Sequence, residues 1–265
     1  MDTESGSDVP GASLLTVEHG MQVLRAFRGE RVPLSNAELV KRTGLSKASV
    51  SRFTSTLIQL GFLWHVPGGR QFELCSAPMG MGQAYLAASE LQKLANPLLQ
   101  DLARQLEVTV ALALADGLDM LYVGCKVGPS VKTLRLGVGS LVPMGTTAIG
   151  HAYLWALTEA ERAPLVAKLR ARAGDKADRL DARMQESFAD LEQLGNCMSY
   201  GEFQRDAYGI AVPVRVGRQC RVMALSCGKA DMHPDLAAER KRIGPALRAV
   251  AERLEQALAD VDGEP

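Results

Sequence analysis

Small hydroxyl side chains and one arginine are concentrated on one side of a predicted helix near the N-terminus. Ser46 can begin this helix, because its hydroxyl accepts from a free N–H of the first turn, and Gly61 can end it in the left-handed conformation. Solvated helix faces are usually rich in Glu and Lys, whereas this one can approach another surface closely and hydrogen-bond to phosphates or base edges. Its candidate contact residues are Ser46, Lys47, Ala48, Ser49, Ser51, Arg52 and Ser55.

Apolar residues on the other side of this helix, predicted over about 47 to 60, indicate a buried stripe. A shorter helix precedes it, since Ser35 and Glu38 have the spacing of a capping box and Gly44 can end a helix. Two short helices joined by a tight turn form a helix-turn-helix, whose second helix enters the major groove of DNA. The same pattern also fits a helical hairpin in another small bundle. The residues of the predicted stripe are Val50, Phe53, Leu57 and Leu60.

Elements on either side of these two helices predict a winged helix. An amphipathic helix is expected over 14 to 28, and two short strands over 61 to 66 and 70 to 74 flank a Pro-Gly-Gly turn. Arg70 at the tip of this wing can lie along a phosphate strand or in the minor groove. It can equally be a solvated turn arginine, and both interpretations stay open at this point.

The distribution of charge favours nucleic acid as a partner of the first part of the chain. The 265 residues carry 30 Lys and Arg against 30 Asp and Glu, so the formal net charge is zero. Residues 14 to 75 hold eight basic and four acidic side chains, a net charge of +4, while residues 1 to 13 have a net charge of −3. The positive charge is therefore concentrated around the predicted helix-turn-helix.

Composition indicates an ordinary globular protein with two domains. Apolar residues make up 47% of the chain, and no run of 18 apolar residues predicts a membrane span. The first 13 residues are polar and acidic, so we expect a disordered tail and a cytoplasmic protein. Five cysteines without a Cys-x-x-Cys pair and four histidines without ligand spacing predict no metal site.

The stretch from 78 to 107 is expected to be predominantly helical, with Pro97 starting a new segment. Its first part has more apolar surface than a solvated linker needs. We therefore expect it to pack on a partner, most simply a second copy of the chain, which would suit a pseudo-palindromic DNA site.

Beyond residue 108 the pattern predicts an antiparallel sheet with helices on its faces, which is an α+β domain. A run rich in glycine and threonine, 137 to 150, leads into a helix predicted from His151 to Leu157. The other predicted helices cover about 159 to 170, 179 to 194 and 235 to 260. The predicted strands cover about 109 to 115, 120 to 127, 131 to 136, 197 to 203, 208 to 215 and 220 to 227.

The chain resembles the IclR family of bacterial transcriptional regulators from about residue 14 to 260, through the order and spacing of short motifs. In the first part these motifs are Thr16-Val17-Glu18, Thr43-Gly44-Leu45-Ser46-Lys47 with Ser49 and Arg52, and Leu60-Gly61-Phe62. In the second part they are Gly139-Ser140 with Pro143, Thr147-Ala148 with Gly150, Gly201-Glu202-Phe203, Ile210-Ala211-Val212-Pro213-Val214 and Ala224-Leu225-Ser226.

This resemblance implies a winged-helix DNA reader joined by a linker helix to a GAF-like effector domain, working on double-stranded DNA as a homodimer or homotetramer. The domains expected are a tail (1–13), a winged helix (14–75), a linker helix (76–90) and an effector domain (91–262). An organic acid suits the implied effector site, because free N–H groups at a helix N-terminus attract a carboxylate. The implied effector residues are Met144, Thr146, Thr147, Ala148, Ile149, Ser199, Glu202, Ser226 and Gly228.

Some positions depart from the family pattern. Ser199 stands where an acidic residue is common, Gly228 where a second serine is usual, His151 where Lys or Arg is usual, and Arg205-Asp206 where Pro-Gly is usual. The expected pocket thereby loses a negative charge and a hydroxyl. Several apolar residues hint at a hydrophobic or aromatic acid, although core packing is the favoured role for most of them. They are Leu112, Leu114, Leu134, Leu136 and Met144.

Other classes of function fit the sequence less well. Ser226, His151 and His233 could be imagined as a hydrolase constellation, but the chain has no Gly-x-Ser-x-Gly elbow and no carboxylate placed to orient a histidine. A redox sensor using Cys220 or Cys227 is a further alternative. A pure protein-interaction module would not explain positive charge on a helix-turn-helix. We therefore expect neither an enzyme nor a cofactor.

Overall fold

The computed structural model describes residues 15–27, 32–131 and 136–261, and the chain divides into two compact units between Leu86 and Ala87. Within those ranges, no helix combines the length and apolar composition that crossing a bilayer requires.

The first unit is a winged helix. Three helices, α1 (Leu15–Arg25), α2 (Asn36–Thr43) and α3 (Lys47–Gln59), pack with a small antiparallel sheet whose strand order is β1-β3-β2. Its strands are β1 (Leu34–Ser35), β2 (Leu63–His65) and β3 (Gln71–Leu74). One apolar cluster joins them, formed by Val23, Phe27, Leu34, Leu39, Val50, Phe53, Leu57, Leu63 and Phe72.

Local signals set the helix ends as the sequence predicts. Ser35 and Glu38 form the reciprocal capping box of α2, and Gly44 ends that helix at φ 71°. Ser46 begins α3 by accepting from the amide of Ser49, and Gly61 follows this helix at φ 75°. These caps satisfy amides and carbonyls that have no partner inside a helix.

One member of the predicted stripe of α3 is not buried. Val50, Phe53 and Leu57 lie in the core, but Leu60 is 62% exposed. Leu60 is the C-cap residue after Gln59, and its side chain lines an open apolar groove with Val17 and Met81 instead of the core. Strand β1, which pairs Leu34 with Phe72, was not predicted because two residues carry no periodicity.

The helical stretch after the wing breaks earlier than predicted. It forms α4 (Ala77–Ala88) and α5 (Glu90–Leu106), and Ser89 caps α5 by accepting from the amide of Gln92. Pro97 lies inside α5, so it does not start a new segment. Pro97 has no N–H, so the carbonyl of Lys93 lacks its helical donor. Both residues are exposed, so water can donate to that carbonyl instead.

The second unit is built on an antiparallel sheet of six strands in the order β6-β5-β4-β9-β8-β7. Its strands are β4 (Thr109–Asp116), β5 (Asp119–Val127), β6 (Leu141–Pro143), β7 (Cys197–Tyr200), β8 (Ala207–Val216) and β9 (Arg221–Ala230). Its helices after α5 are α6 (Ala148–Ala156), α7 (Glu159–Ala173), α8 (Ala177–Leu194) and α9 (Leu236–Ala257). The predicted α+β class is confirmed.

Side chains along the strands alternate between the two faces of the sheet, and each face packs against its own core. Large residues such as Val110, Leu112 and Leu225 pack with α5 and α9 on one face. The other face, which carries α6 and α8, presents small residues. Because their side chains are short, α6 can lie close to the sheet. The small residues of this face include Ala111, Ala113, Ala211 and Ala224.

The structure differs from two predictions near the glycine and threonine run. Helix α6 begins at Ala148 instead of His151, because Thr147 is its N-cap. Strand β6 inside the run was missed, and it pairs with residues 119 to 121 of β5. The strand predicted over 131 to 136 falls mainly on residues 132–135, which lie outside the described residues.

Candidate functional site

The outer face of α3 is exposed and has no negative charge. All thirteen residues of the helix, from Lys47 to Gln59, lack a carboxylate. The positions that the sequence assigned to this face and that lie exposed in the structure are Lys47, Ala48, Ser51, Arg52 and Ser55. Ser46 is also exposed, but its hydroxyl caps the helix and donates to the Ser49 hydroxyl at 3.0 Å.

Several hydroxyls of α3 donate to carbonyls of the same helix. Ser55 Oγ bonds the carbonyl of Ser51 at 2.9 Å and Thr56 Oγ1 bonds that of Arg52 at 3.1 Å, so their lone pairs point outward as acceptors. The guanidinium of Arg52 lies 5.9 Å from the ring centroid of Phe53. Arg70 is exposed in the turn between β2 and β3. This surface therefore presents one arginine, one lysine and several small polar groups.

The second unit contains a small cavity between the start of α6 and the sheet. Its volume is about 70 Å³. Parts of all six strands, the first turn of α6 and the segment after β7 surround it. The sequence-predicted residues that line this cavity are Thr147, Ala148, Ile149, Ser199, Glu202, Ser226 and Gly228.

Hydrogen bonds at the start of α6 leave one amide directed at no protein acceptor. The amide of Ala148 donates to Ser199 Oγ at 3.0 Å, and that of Gly150 donates to Thr147 Oγ1 at 3.3 Å. Among the described residues no acceptor is found for the amide of Ile149, which also lines the cavity. Ser199 accepts from Ala148, so its own proton remains available to a ligand.

The structure changes the role of three predicted effector residues. Met144 is fully buried in the core around α6 and does not line the cavity. Thr146 lines a separate, more open cleft that also contains Arg172 and Arg183. The hydroxyl of Thr147 donates to the carbonyl of Pro143 at 2.7 Å while capping α6, so it is committed to the backbone.

Of the apolar residues that hinted at a hydrophobic acid, only Leu136 among the described ones lines the cavity. Leu112 and Leu114 belong to the core on the opposite face of the sheet. The reason is the alternation of β4, which places these two residues away from α6. Leu134 lies outside the described residues.

Sequence analysis missed several lining residues, including Thr109, Tyr122 and Phe203. The side chain of Tyr122 is buried beside Ser226, and this burial raises the pKa of its phenol. Thr109 is 7% exposed, and within the described ranges its hydroxyl has no hydrogen-bond partner. No local pattern marks these residues, because strand register brings them to the cavity.

The carboxylate of Glu202, at the rim of the cavity, is paired with two arginines. Glu202 Oε1 lies 2.9 Å from Arg179 Nη2 and 3.4 Å from Arg183 Nε, both on α8. The two arginines reduce the repulsion that Glu202 would otherwise exert on an entering anion.

The residues imagined as a hydrolase site do not meet. His151 is buried and bonds Ser187 Oγ at 2.8 Å and the carbonyl of Gly145 at 3.0 Å. Ser226 lies beside Tyr122 instead, and His233 is exposed. Burial raises the pKa of the Cys227 thiol, which disfavours the reactive thiolate, while Cys220 lies exposed in a turn. Over the described ranges, no group of three or more His, Cys, Asp or Glu side chains could hold a metal ion.

A winged helix with a carboxylate-free outer helix, followed by an α+β domain that encloses a small cavity with polar and apolar lining, is typical of a transcriptional regulator of two domains. Two family models match the chain: the IclR helix-turn-helix domain over residues 16–67 and the Bacterial transcriptional regulator IclR C-terminal model over residues 83–256. The chain belongs to the IclR family.

Individual relatives agree with this assignment. The HTH-type transcriptional regulator TsaQ1/TsaQ2 of Comamonas testosteroni is 29% identical over 239 residues, which is 89% of this chain and 85% of that protein. A crystal structure of an IclR family regulator from Brucella abortus matches with TM-score 0.84 and 30% identity, covering 96% of both chains. An IclR homologue from Microbacterium hydrocarbonoxydans, solved in complex with 4-hydroxybenzoate, matches in fold with TM-score 0.66 and 18% identity, over 92% of this chain and 98% of that one.

Proposed function

We propose that the protein binds a specific DNA operator through α3 and the wing, and that a small organic acid bound in the cavity changes this binding. The observation that carries the second part is the start of α6. There the amide of Ile149 and the hydroxyl proton of Ser199 have no protein acceptor among the described residues. Both are hydrogen-bond donors beside the positive end of a helix dipole, an arrangement that favours a carboxylate.

The size of the cavity limits the acid. A single buried water needs about 10–15 Å³ by this measure of volume, so about 70 Å³ corresponds to roughly five waters. An engineered cavity that holds benzene measures about 150 Å³, roughly twice this volume. A compact short-chain acid therefore fits the cavity as it stands, and an acid with one ring fits only if the cavity widens. The complex of the Microbacterium homologue with 4-hydroxybenzoate supports including aromatic acids among the candidates.

For the DNA side of the proposal, charge and exposure agree. Residues 14 to 75 carry a net charge of +4, and α3 presents Lys47 and Arg52 with no carboxylate beside them. We assign to DNA contact the exposed polar face of α3, with Arg70 on the wing reaching the phosphates. The proposed contacts are Ser46, Lys47, Ala48, Ser49, Ser51, Arg52, Ser55 and Arg70.

A second copy of the chain is the proposed partner of an apolar surface in the first unit. An open groove of about 680 Å³ runs between α1, the end of α3 and the start of α4. Large apolar side chains along it are unusually exposed, among them Val17 at 62%, Leu60 at 62% and Met81 at 60%. Two-fold pairing through this groove would place two α3 helices on one pseudo-palindromic operator.

Two measurements test the proposal on the full chain. An operator is first selected from random duplexes, and gel-shift titrations at fixed salt then measure its affinity with and without each of a panel of carboxylic acids. Thermal-shift assays with the same panel report binding to the folded protein. We expect at least one acid to raise the melting temperature and to change operator affinity. Failure to select any operator would contradict the DNA part, and an operator affinity insensitive to every acid would contradict the effector part.

A further inference from the structure

We infer that the effector carries a second polar group opposite its carboxylate, and that the hydroxyl of Thr109 recognises this group. The inference rests on the proposed effector function and names the chemical class of the ligand. It starts from Thr109, which is 7% exposed and has a buried hydroxyl oxygen without a hydrogen-bond partner among the residues that the structure describes. A buried polar group is normally hydrogen-bonded, so this hydroxyl calls for a partner that only binding supplies.

The register of the sheet places Thr109 and Ser199 at two ends of one row. Thr109 of β4 pairs with Gly228 of β9, Gly228 pairs with Gly209 of β8, and Gly209 pairs with Ser199 of β7. Residues paired in this way point to the same face of the sheet, and all four line the cavity. The two central positions have no side chain, so the row is a trough with a hydroxyl at each end.

The length of this trough limits the distance between the two polar groups of the ligand. Neighbouring strands lie about 4.8 Å apart, so the backbones at the two ends are separated by about 14 Å, and less where the sheet curves. Allowing one hydrogen bond of about 2.8 Å at each end leaves at most about 9 Å between the polar atoms of the ligand. A carboxylate at Ser199 and a hydroxyl or carbonyl oxygen at Thr109 satisfy this limit. Threonine can donate or accept, so either oxygen serves.

The central glycines suit a flat or slender ligand. A Cβ at position 228 would stand 2.7 Å from the carbonyl oxygen of Tyr208, so that strand pair leaves no room for a side chain. A Cβ at position 209 would instead make only ordinary contacts, at 3.8 Å from Ser199 Oγ and 3.9 Å from Ala148 Cβ. The floor of the trough is therefore backbone, on which an apolar body can lie between the two polar ends.

Matched ligands and a near-isosteric variant test the inference. Calorimetry on the full chain compares benzoate with 4-hydroxybenzoate, and pentanoate with 5-hydroxypentanoate, so that each pair differs by one hydroxyl. In the wild type we expect the hydroxylated acid of at least one pair to bind about tenfold tighter. Thr109→Val should abolish this preference, so that the two acids of the pair bind equally, while Thr109→Ser should retain the preference.

Stability of the free protein gives an independent measurement. Thr109→Val replaces a hydroxyl without a partner by a methyl group of similar shape, so the melting temperature without ligand should stay the same or rise. A lower melting temperature would show that the hydroxyl has a partner in the free protein and would overturn the inference. Binding without preference in either pair would overturn it too, and leave the effector proposal intact. Absence of binding by all four acids would contradict the effector proposal itself.

Discussion

The backbone amide of Ala148 donates a hydrogen bond to the side-chain oxygen of Ser199 at 3.0 Å, across 51 positions of the sequence. Ser199 on β7 thus acts as a second cap for α6, beside Thr147. The bond fixes the serine oxygen at the helix start and directs its proton elsewhere. One residue thereby connects the stability of α6 with the proposed site for an anion.

An acidic residue at position 199 should separate these two roles. In Ser199→Asp the carboxylate can still accept from Ala148, and it benefits from the positive end of the helix dipole, so stability should stay within about 1 kcal/mol of the wild type. The same negative charge repels an incoming carboxylate, and we expect organic acids to bind at least tenfold more weakly. Calorimetric titration together with a thermal melt checks both parts. Unchanged acid binding would show that the carboxylate of the ligand does not bind beside Ser199.

Two glycines of the second unit should respond to alanine in opposite ways. A Cβ at Gly150 would overlap the carbonyl oxygen of Met144, so Gly150→Ala must displace α6 and should lower the free energy of unfolding by about 3 kcal/mol or more. Gly209→Ala meets only ordinary contacts and should fold normally. Its methyl group enters the trough, so acid binding should weaken about tenfold. Urea unfolding and calorimetry measure these effects, and a stable Gly150→Ala protein would contradict the close packing of α6.

The buried imidazole of His151 should make the second unit less stable in mild acid. Burial lowers the pKa of His151, outweighing the hydrogen bond to the Gly145 carbonyl that raises it. A carbonyl only accepts, so Nε2 carries the proton and Nδ1 accepts from Ser187. Below about pH 6.5 the imidazole of His151 is protonated in the unfolded chain but stays neutral in the folded chain. The free energy of unfolding therefore falls with decreasing pH.

Urea unfolding between pH 5.5 and 7.5 measures this effect. A Trp64→Phe background leaves Trp155 of α6 as the reporter of the second unit, since the chain has two tryptophans. The contribution of His151 should reach a slope of about 1.4 kcal/mol per pH unit. His151→Gln should flatten the pH dependence while lowering stability at pH 7.5. Equal slopes in the two proteins would show that His151 is not the titrating group.

Arg52 is the residue of α3 whose loss should most affect DNA binding. If it contacts a base edge, Arg52→Ala should weaken operator binding by about 1–3 kcal/mol and relax sequence preference at one position. If it contacts a phosphate, affinity for all sequences should fall. The slope of log affinity against log salt concentration should then become shallower by about one. Gel-shift titration at several salt concentrations distinguishes these outcomes. Arg104→Ala, at an exposed position of α5, is the matched control.

The sequence by itself determined the elements of the first unit almost completely. The capping box at Ser35, the cap at Ser46 and the glycines at 44 and 61 act within a few residues of their own positions. Short-range hydrogen bonds and helical periodicity therefore predicted the helix-turn-helix, apart from Leu60 at the end of its stripe. The break at Ser89 shows the limit of this reasoning, because a serine cap outweighed the expected effect of Pro97.

In the second unit, the resemblance to known regulators indicated seven of the eighteen lining residues, and the tertiary structure decided what each does. Met144 and Thr147 were expected to face a ligand, but the first fills the core and the second bonds the backbone. Thr109 and Tyr122 were not expected there, because their place depends on which strands pair and in which register. Strand pairing joins residues more than a hundred positions apart, and a shift of one residue would turn each side chain to the other face. A local pattern contains no information about that choice, so only the folded sheet brings Thr109, Gly228, Gly209 and Ser199 into one row.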